Sequence, residues 1–298
     1  MVLAYAALTG IVVLTVSLTR ADSGQPGEIH RSDGTSLWTS LITQASKLGL
    51  PIRFLRVVPP DFIVVEFADL RAFAAEYHPE THLMILNRAL SFNAAGGVLK
   101  PLAGMNHRDV ATIYHELFHA YLDYVRTSPV HAVMDADARR LLAFAKDRQD
   151  CRYTLVHITP LRQKKTVTEP RFLNEHESWE ALNETWAVFV GWAIWTRLET
   201  TGSKKSVQAK LLKSLKKADQ SGELVGYYEP EDSKEREVTN KRYLAHKSRI
   251  TRSEVTLLLE VVLEESPDAA SRLAAAMTPD PAPDPGVPSC GGSKALRP

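Results

Sequence analysis

The stretch Trp186-Ala-Val-Phe-Val-Gly-Trp-Ala-Ile-Trp195 contains no polar side chain. At ten residues it is too short to span a bilayer, so it predicts a helix segment covered on every side by a folded domain. The chain has the material for such a core, with 298 residues, 44% hydrophobic content and a formal net charge of +1. Near-neutral charge gives no basic excess for phosphates, which argues against a nucleic-acid partner.

Glu184 lies within one turn of this apolar run. A carboxylate there must go neutral, meet a cation or bind a metal, because burying it alone is costly. A candidate partner occurs upstream. From Asn106 to Arg126 the spacing predicts one amphipathic helix, with Asn106 as N-cap, Asp109 in the first turn, and Val110, Ile113, Tyr114, Leu117, Phe118, Tyr121 and Val125 on one apolar stripe. His115 and His119, four residues apart at the edge of that stripe, can reach a single ion, while Glu116 projects about 100° round the helix. This is the His-Glu-x-x-His zinc motif: two neutral imidazole donors, and a glutamate placed to take a proton from a metal-bound water. Two histidines and a glutamate form a usual ligand set of catalytic zinc, so Glu184 supplies what the first motif lacks.

The rest of the chain frames this pair. Met1 to Thr19 is apolar and uncharged, and Ala21-Asp22-Ser23 offers small residues for cleavage, so residues 1–21 predict a signal peptide or signal anchor and an extracytoplasmic, secreted, periplasmic or tethered protein. A buried N-terminal helix is the alternative. Residues 22–35 read as a linker, 36–278 as the domain, and 279–298 as a disordered Pro/Gly-rich tail. Within the domain, Ser36–Leu48 predicts a helix ended by Gly49, and Ile52–Val58, Phe62–Phe67 and His82–Asn87 predict strands. An edge strand near the metal helix could pair an extended peptide. A second helix is expected from near His131 through Phe144, residues 151–169 form either a hairpin or an irregular loop, and Ser203–Lys217 suits a solvated basic helix. Thr251-Arg-Ser-Glu254 is a capping box opening a helix, with a short helix following over Ala269–Met277. The expected class is α+β: a small mixed or antiparallel sheet packed on the active-site helix, then a mainly helical C-terminal part. Cys151 and Cys290, the only cysteines, are expected as free or incidental thiols because Cys290 lies in the tail, with a single bridge outside the cytosol as the alternative.

His115-Glu116-x-x-His119, followed roughly sixty residues later by Leu182-Asn183-Glu184-x-x-Ala187, resembles the gluzincin zinc metallopeptidases over residues 60–195. The resemblance implies a zincin-like domain in which His115, His119 and Glu184 hold one zinc ion and Glu116 is the general base for hydrolysis of a peptide or protein. Leu122 and Val125 stand where the metzincins have their Gly and third His. The substrate-amine recognition motif of the aminopeptidases is absent, so an exopeptidase is not implied. In the thermolysin-like branch Glu180 would be the ligand and Glu184 its second-sphere partner. Glu184 is preferred because it alone has the preceding Asn183 and the following Ala187. Glu180 or Asp123 then becomes a candidate to orient a ligand histidine. Tyr153, Tyr227, Tyr228, Tyr243 and His246 are available as oxyanion donors, and nothing in the sequence ranks them. Two other functions fit the same residues: a non-catalytic extracytoplasmic zinc-binding scaffold, and a zinc hydrolase acting on something other than peptides. Membrane contact is expected only through the N-terminal segment, and the oligomeric state is left open.

Overall fold

A computed structural model describes residues 34–71, 73–92, 98–128, 135–160, 167–201, 207–281 and 290. The expected signal segment and nearly all of the expected linker lie outside the described residues, as do the start of the second helix near His131 and most of the tail. Among the described residues no helix is long and apolar enough to cross a membrane.

The chain is mixed α+β with small sheets and a mainly helical second part. Helix α1 (Gly34–Lys47) stops where Gly49 takes a φ of +65°, in the left-handed region that glycine enters without a Cβ penalty. The next segment corrects the expectation of a strand at Ile52–Val58, because it is the short helix α2 (Arg53–Val57). Its free N-terminal amides are satisfied from far away: Glu264 Oε1 accepts from the N–H groups of Ile52 and Arg53, both at 2.7 Å. The β-branched residues of the segment suit a strand locally, and a carboxylate some two hundred residues later overrides them.

Three strands follow, β1 (Val64–Ala68), β2 (Ala75–His78) and β3 (Leu83–Asn87). Their order is β1-β3-β2, with β1 parallel and β2 antiparallel to the central β3. The sheet is therefore mixed, and the edge strand beside the long helix is β2. Ala-Glu-Tyr-His lacks the apolar run that marks a strand in sequence.

Helix α3 (His107–Thr127) has the expected cap, with Asn106 accepting from the Asp109 N–H, and buries Val110, Ile113, Tyr114, Leu117, Phe118, Tyr121 and Val125. Helix α4 (Ala136–Arg148) is capped by Asp135 and runs into a single π-helical turn at Gln149–Tyr153. The undecided 151–169 region gives a hairpin, in which β4 (Leu155–Ile158) pairs antiparallel with β5 (Glu169–Phe172).

Helix α5 (Glu175–Thr200) starts with a full capping box between Asn174 and Glu177. Trp186, Ala187, Phe189, Val190, Gly191, Ala193 and Ile194 are buried, so the apolar run sits in the core as its composition requires; Trp195 at its end is 43% exposed. The chief packing partner of α5 is α3, and the approach is close: a Cβ on Gly191 would stand 3.2 Å from the Ala111 carbonyl oxygen and 3.4 Å from His115 Cβ. Glu184 faces His115 and His119 while Gly191 faces Ala111 and His115, so the two helices run antiparallel.

Helix α6 (Val207–Ser221) presents lysines outward and Leu211, Leu215 and Ala218 inward. Strand β6 (Tyr227–Tyr228), helix α7 (Ser233–Val238) and strand β7 (Arg242–Tyr243) make a small hairpin laid along α5. The capping box at Thr251 and Glu254 opens α8 (Arg252–Val261), and α9 (Pro267–Ala274) follows.

Among the described residues of the expected tail, Pro279 and Asp280 are held by the body of the domain. Arg249 donates to the Thr278 hydroxyl and the Pro279 carbonyl, Arg252 to the Met277 carbonyl, and Asp280 accepts from the Arg252 N–H. The reading of Cys151 and Cys290 as free thiols is also corrected, since they form a disulfide with Cα atoms 5.0 Å apart. The reason lies in the same anchor: Arg152, beside Cys151, donates to the Arg249 carbonyl, so the turn carrying one cysteine lies next to the residue that holds the returning chain.

Candidate metal centre

Antiparallel packing of α3 on α5 brings His115, His119 and Glu184 together although their two motifs are far apart in sequence. Nε2 of His115 and Nε2 of His119 are 3.0 Å apart. Glu184 Oε1 lies 3.4 Å from His119 Nε2, and Glu184 Oε2 lies 3.6 Å from His115 Nε2. Donors each about 2.0–2.1 Å from one tetrahedral ion stand about 3.3 Å from each other, so these separations suit a shared ion. Glu184 Oε2 is buried and has no hydrogen-bond partner. An oxygen in that state is costly unless something else binds it. The Nε2, Nε2 and carboxylate-oxygen set, all within 4.8 Å, is a donor set that zinc accepts. The residues therefore fit the ion that the sequence leads one to expect.

The protein's own charges act strongly on one another here. Burial disfavours ionised Glu184, yet His119 and His115 outweigh it and bring the carboxyl down to about 2. Burial takes His119 down to about 4, against the pull of Glu184, which keeps its imidazole neutral as a ligand requires. Burial also acts downward on His115, but the Glu184 carboxylate 3.6 Å away, together with the charge of Glu116, leaves it raised. Burial lifts Glu116 to about 7 against the opposing effect of His115. Its Oε1 is 4.0 Å from His115 Nε2, and its Oε2 accepts from the backbone N–H of Tyr77 on β2 at 3.0 Å.

Neither candidate for orienting a ligand histidine does so by contact. Asp123 accepts from the Tyr77 hydroxyl at 2.6 Å and pairs with His82 Nδ1 at 2.8 Å. Glu180 accepts from the Glu229 N–H at 2.9 Å, and burial raises its carboxyl to about 8. Glu180 thus stands apart from the three-donor cluster and holds the hairpin. The histidines face α5 itself: His115 the Ala187 backbone, and His119 the Asn183 amide, whose oxygen is buried and has no hydrogen-bond partner. Asn183 and Ala187 are the residues that distinguished the second motif in sequence.

Of the five possible oxyanion donors, Tyr227 is the one directed at the cluster. Its hydroxyl faces Glu184 and accepts from Lys241 Nζ at 2.7 Å, and burial first, then Glu184, raises its pKa. Tyr153 instead donates to Glu254 at 2.9 Å, and His246 Nε2 lies 2.6 Å from the Asp219 carbonyl. Tyr227 reaches the site because the residue before it is glycine. A Cβ on Gly226 would fall 2.5 Å from the Thr185 nitrogen and 2.9 Å from the Glu184 carbonyl carbon, so no other residue lets β6 lie this close to α5. The roles of Tyr77, Asn183, Gly226 and Lys241 were not read from sequence. Only the Glu-Leu-Val-Gly-Tyr-Tyr pattern, a glycine leading into aromatic residues, hints at a strand approaching another backbone.

Comparison with known protein families, curated proteins and solved structures finds no match to this chain.

Proposed function

We propose that this chain is a zinc-dependent peptidase of the gluzincin type with a zincin-like domain, holding one zinc ion on His115, His119 and Glu184. The observation that carries the reading is the buried Glu184 carboxylate: its Oε2 has no hydrogen-bond partner and lies 3.6 Å from His115 Nε2, and its Oε1 lies 3.4 Å from His119 Nε2, the distances a common ion would set. Zinc in such a site supplies a Lewis acid and brings the pKa of a coordinated water towards about 7.

The protein groups around it suit peptide hydrolysis. Glu116, with Oε2 held by the Tyr77 N–H and Oε1 4.0 Å from His115 Nε2, is placed to serve as general base towards the attacking water and general acid towards the leaving amine. Tyr227 donates towards the oxygen of the substrate carbonyl as charge develops on it, with Lys241 held against its ring and hydroxyl. The substrate in this reading is a peptide or protein. The Cys151–Cys290 disulfide supports a location outside the cytoplasm, where such bonds persist.

The test is Glu116→Gln in zinc-loaded protein. The wild type should carry about one zinc and cleave a denatured protein substrate; the variant should keep the zinc and lose activity by at least about a hundredfold. Absence of zinc from the purified wild type, with His119→Ala changing nothing, overturns the reading. Equal cleavage by both proteins removes Glu116 from its role.

A further inference from the structure

We propose that Asp123 and His82 are positioning residues for Glu116, acting through Tyr77, which they fasten to the active helix; the inference rests on the reading of Glu116 as base. Glu116 and Asp123 are seven residues apart on α3, two turns or about 10.5 Å along the axis and about 20° apart around it. Tyr77 touches both. Its backbone N–H donates to Glu116 Oε2 at 3.0 Å, and its hydroxyl donates to Asp123 Oδ2 at 2.6 Å. One residue of strand β2 is thus fixed to the same face of α3 at two points, backbone at one end and side chain at the other.

The backbone point is available because of the strand register. Tyr77 opposes Met84 of β3, and its N–H is directed away from the ladder. With Oε2 occupied by that N–H, the remaining oxygen of Glu116 is the one 4.0 Å from His115 Nε2 and directed at the three-donor cluster. Sliding or lifting β2 would free the carboxylate to rotate. The side-chain point resists this, and His82 reinforces it: its Nδ1 lies 2.8 Å from the same Asp123 oxygen, and its ring packs against Phe62 with centroids 4.2 Å apart. His82 adopts a φ of +48° in the turn between β2 and β3, a left-handed conformation uncommon outside glycine, though histidine enters it more readily than most residues, as asparagine and aspartate do. The turn is held in that shape where the imidazole meets Asp123, so the strained residue and the buried acid belong to one device. Asp123 therefore serves the base, not a ligand histidine.

The test uses the full-length, zinc-loaded protein labelled with nitrogen-15. The amide proton of Tyr77 should resonate well downfield and move upfield in Glu116→Gln. Tyr77→Phe and Asp123→Asn should move the residue-77 amide part of the way in the same direction, and lower kcat about tenfold on a cleaved peptide, with KM and zinc stoichiometry unchanged. The Tyr77→Phe/Asp123→Asn double variant should be no slower than either alone, since both act by one route. His82→Asn, which accepts a left-handed backbone and can still donate, should retain most of the rate. A residue-77 amide that ignores Tyr77→Phe and Asp123→Asn overturns the proposal, as does an unchanged kcat in both variants while Glu116→Gln is inactive. An active Glu116→Gln variant defeats the base assignment instead, and the amide shifts still report whether the anchor exists.

Discussion

Glu184 and Glu254 are both buried carboxylates set against helix α5, and they are treated in opposite ways. Glu254, fully buried, has its oxygens saturated: Oε1 accepts from Tyr153 and from Trp186 Nε1, and Oε2 from the Thr251 amide and hydroxyl. Glu184, two residues before Trp186 on the same helix, keeps one buried oxygen without a hydrogen bond and faces His115, His119 and the Tyr227 hydroxyl. A saturated carboxylate joins elements of a core together, whereas an unsaturated one needs something further to complete it. The difference sets the two acids apart by their hydrogen bonding alone, and the proposed zinc site is what would complete Glu184.

The contrast can be broken by direct measurement. Glu254→Ala strands the Tyr153, Trp186 and Thr251 donors and should cost about 3–5 kcal/mol by urea unfolding, with zinc binding kept in the folded fraction. Zinc removal should act only through the other acid. Adding a chelator to wild-type protein held at a thousandfold excess of zinc over its Kd should remove about 4 kcal/mol of stability, whereas Glu184→Gln should be insensitive to the chelator. If Glu184→Gln responds like the wild type, the two carboxylates do not differ as described. Gly226→Ala should cost about 1–3 kcal/mol, and because it displaces Tyr227 its loss of cleavage, about tenfold or more, should exceed what instability explains.

Asp219 extends the saturated class and gives the smallest effect, visible in pH. It is buried, bonded to Arg249 Nε and to the amide and hydroxyl of Thr278, and although burial opposes it these bonds hold its carboxyl below the usual range. A carboxyl depressed on folding contributes stability that is present in full above its unfolded value, about 3.9, and is lost as the pH falls through the folded value. The wild type should therefore lose stability below about pH 4 more steeply than Asp219→Asn, measured by thermal unfolding across that range. Parallel acid limbs would exclude this contribution.

Much of the site was legible because its signals are local. Asn106 with Asp109, and Asn174 with Glu177, mark the starts of the two long helices, the apolar stripe orients α3, and a glutamate beside ten apolar residues announces its own anomaly. What could not be read depends on partners distant in the chain. The cap of α2 is Glu264, the disulfide joins positions separated by 139 residues, and the strand that holds Glu116 has an unremarkable composition. Lys241 carries no local mark and Tyr227 only the glycine before it, since their meaning comes from the hairpin that lays them against α5.

Helix α5 grips that hairpin at two of its backbone amides as well as through side chains. Glu177 accepts from the Glu231 N–H and Glu180 from the Glu229 N–H, while Glu184 lies further along the same helix at the metal cluster. Glu177 and Glu180 act as graduations on a ruler, and the segment is gauged against these two by its amides, which every residue but proline possesses. Between Tyr227 and Glu231 the chain can accordingly drift in side-chain identity at the gripped positions, but an inserted or deleted residue would move the tyrosine off its mark. Related chains should vary there in spelling and agree in length.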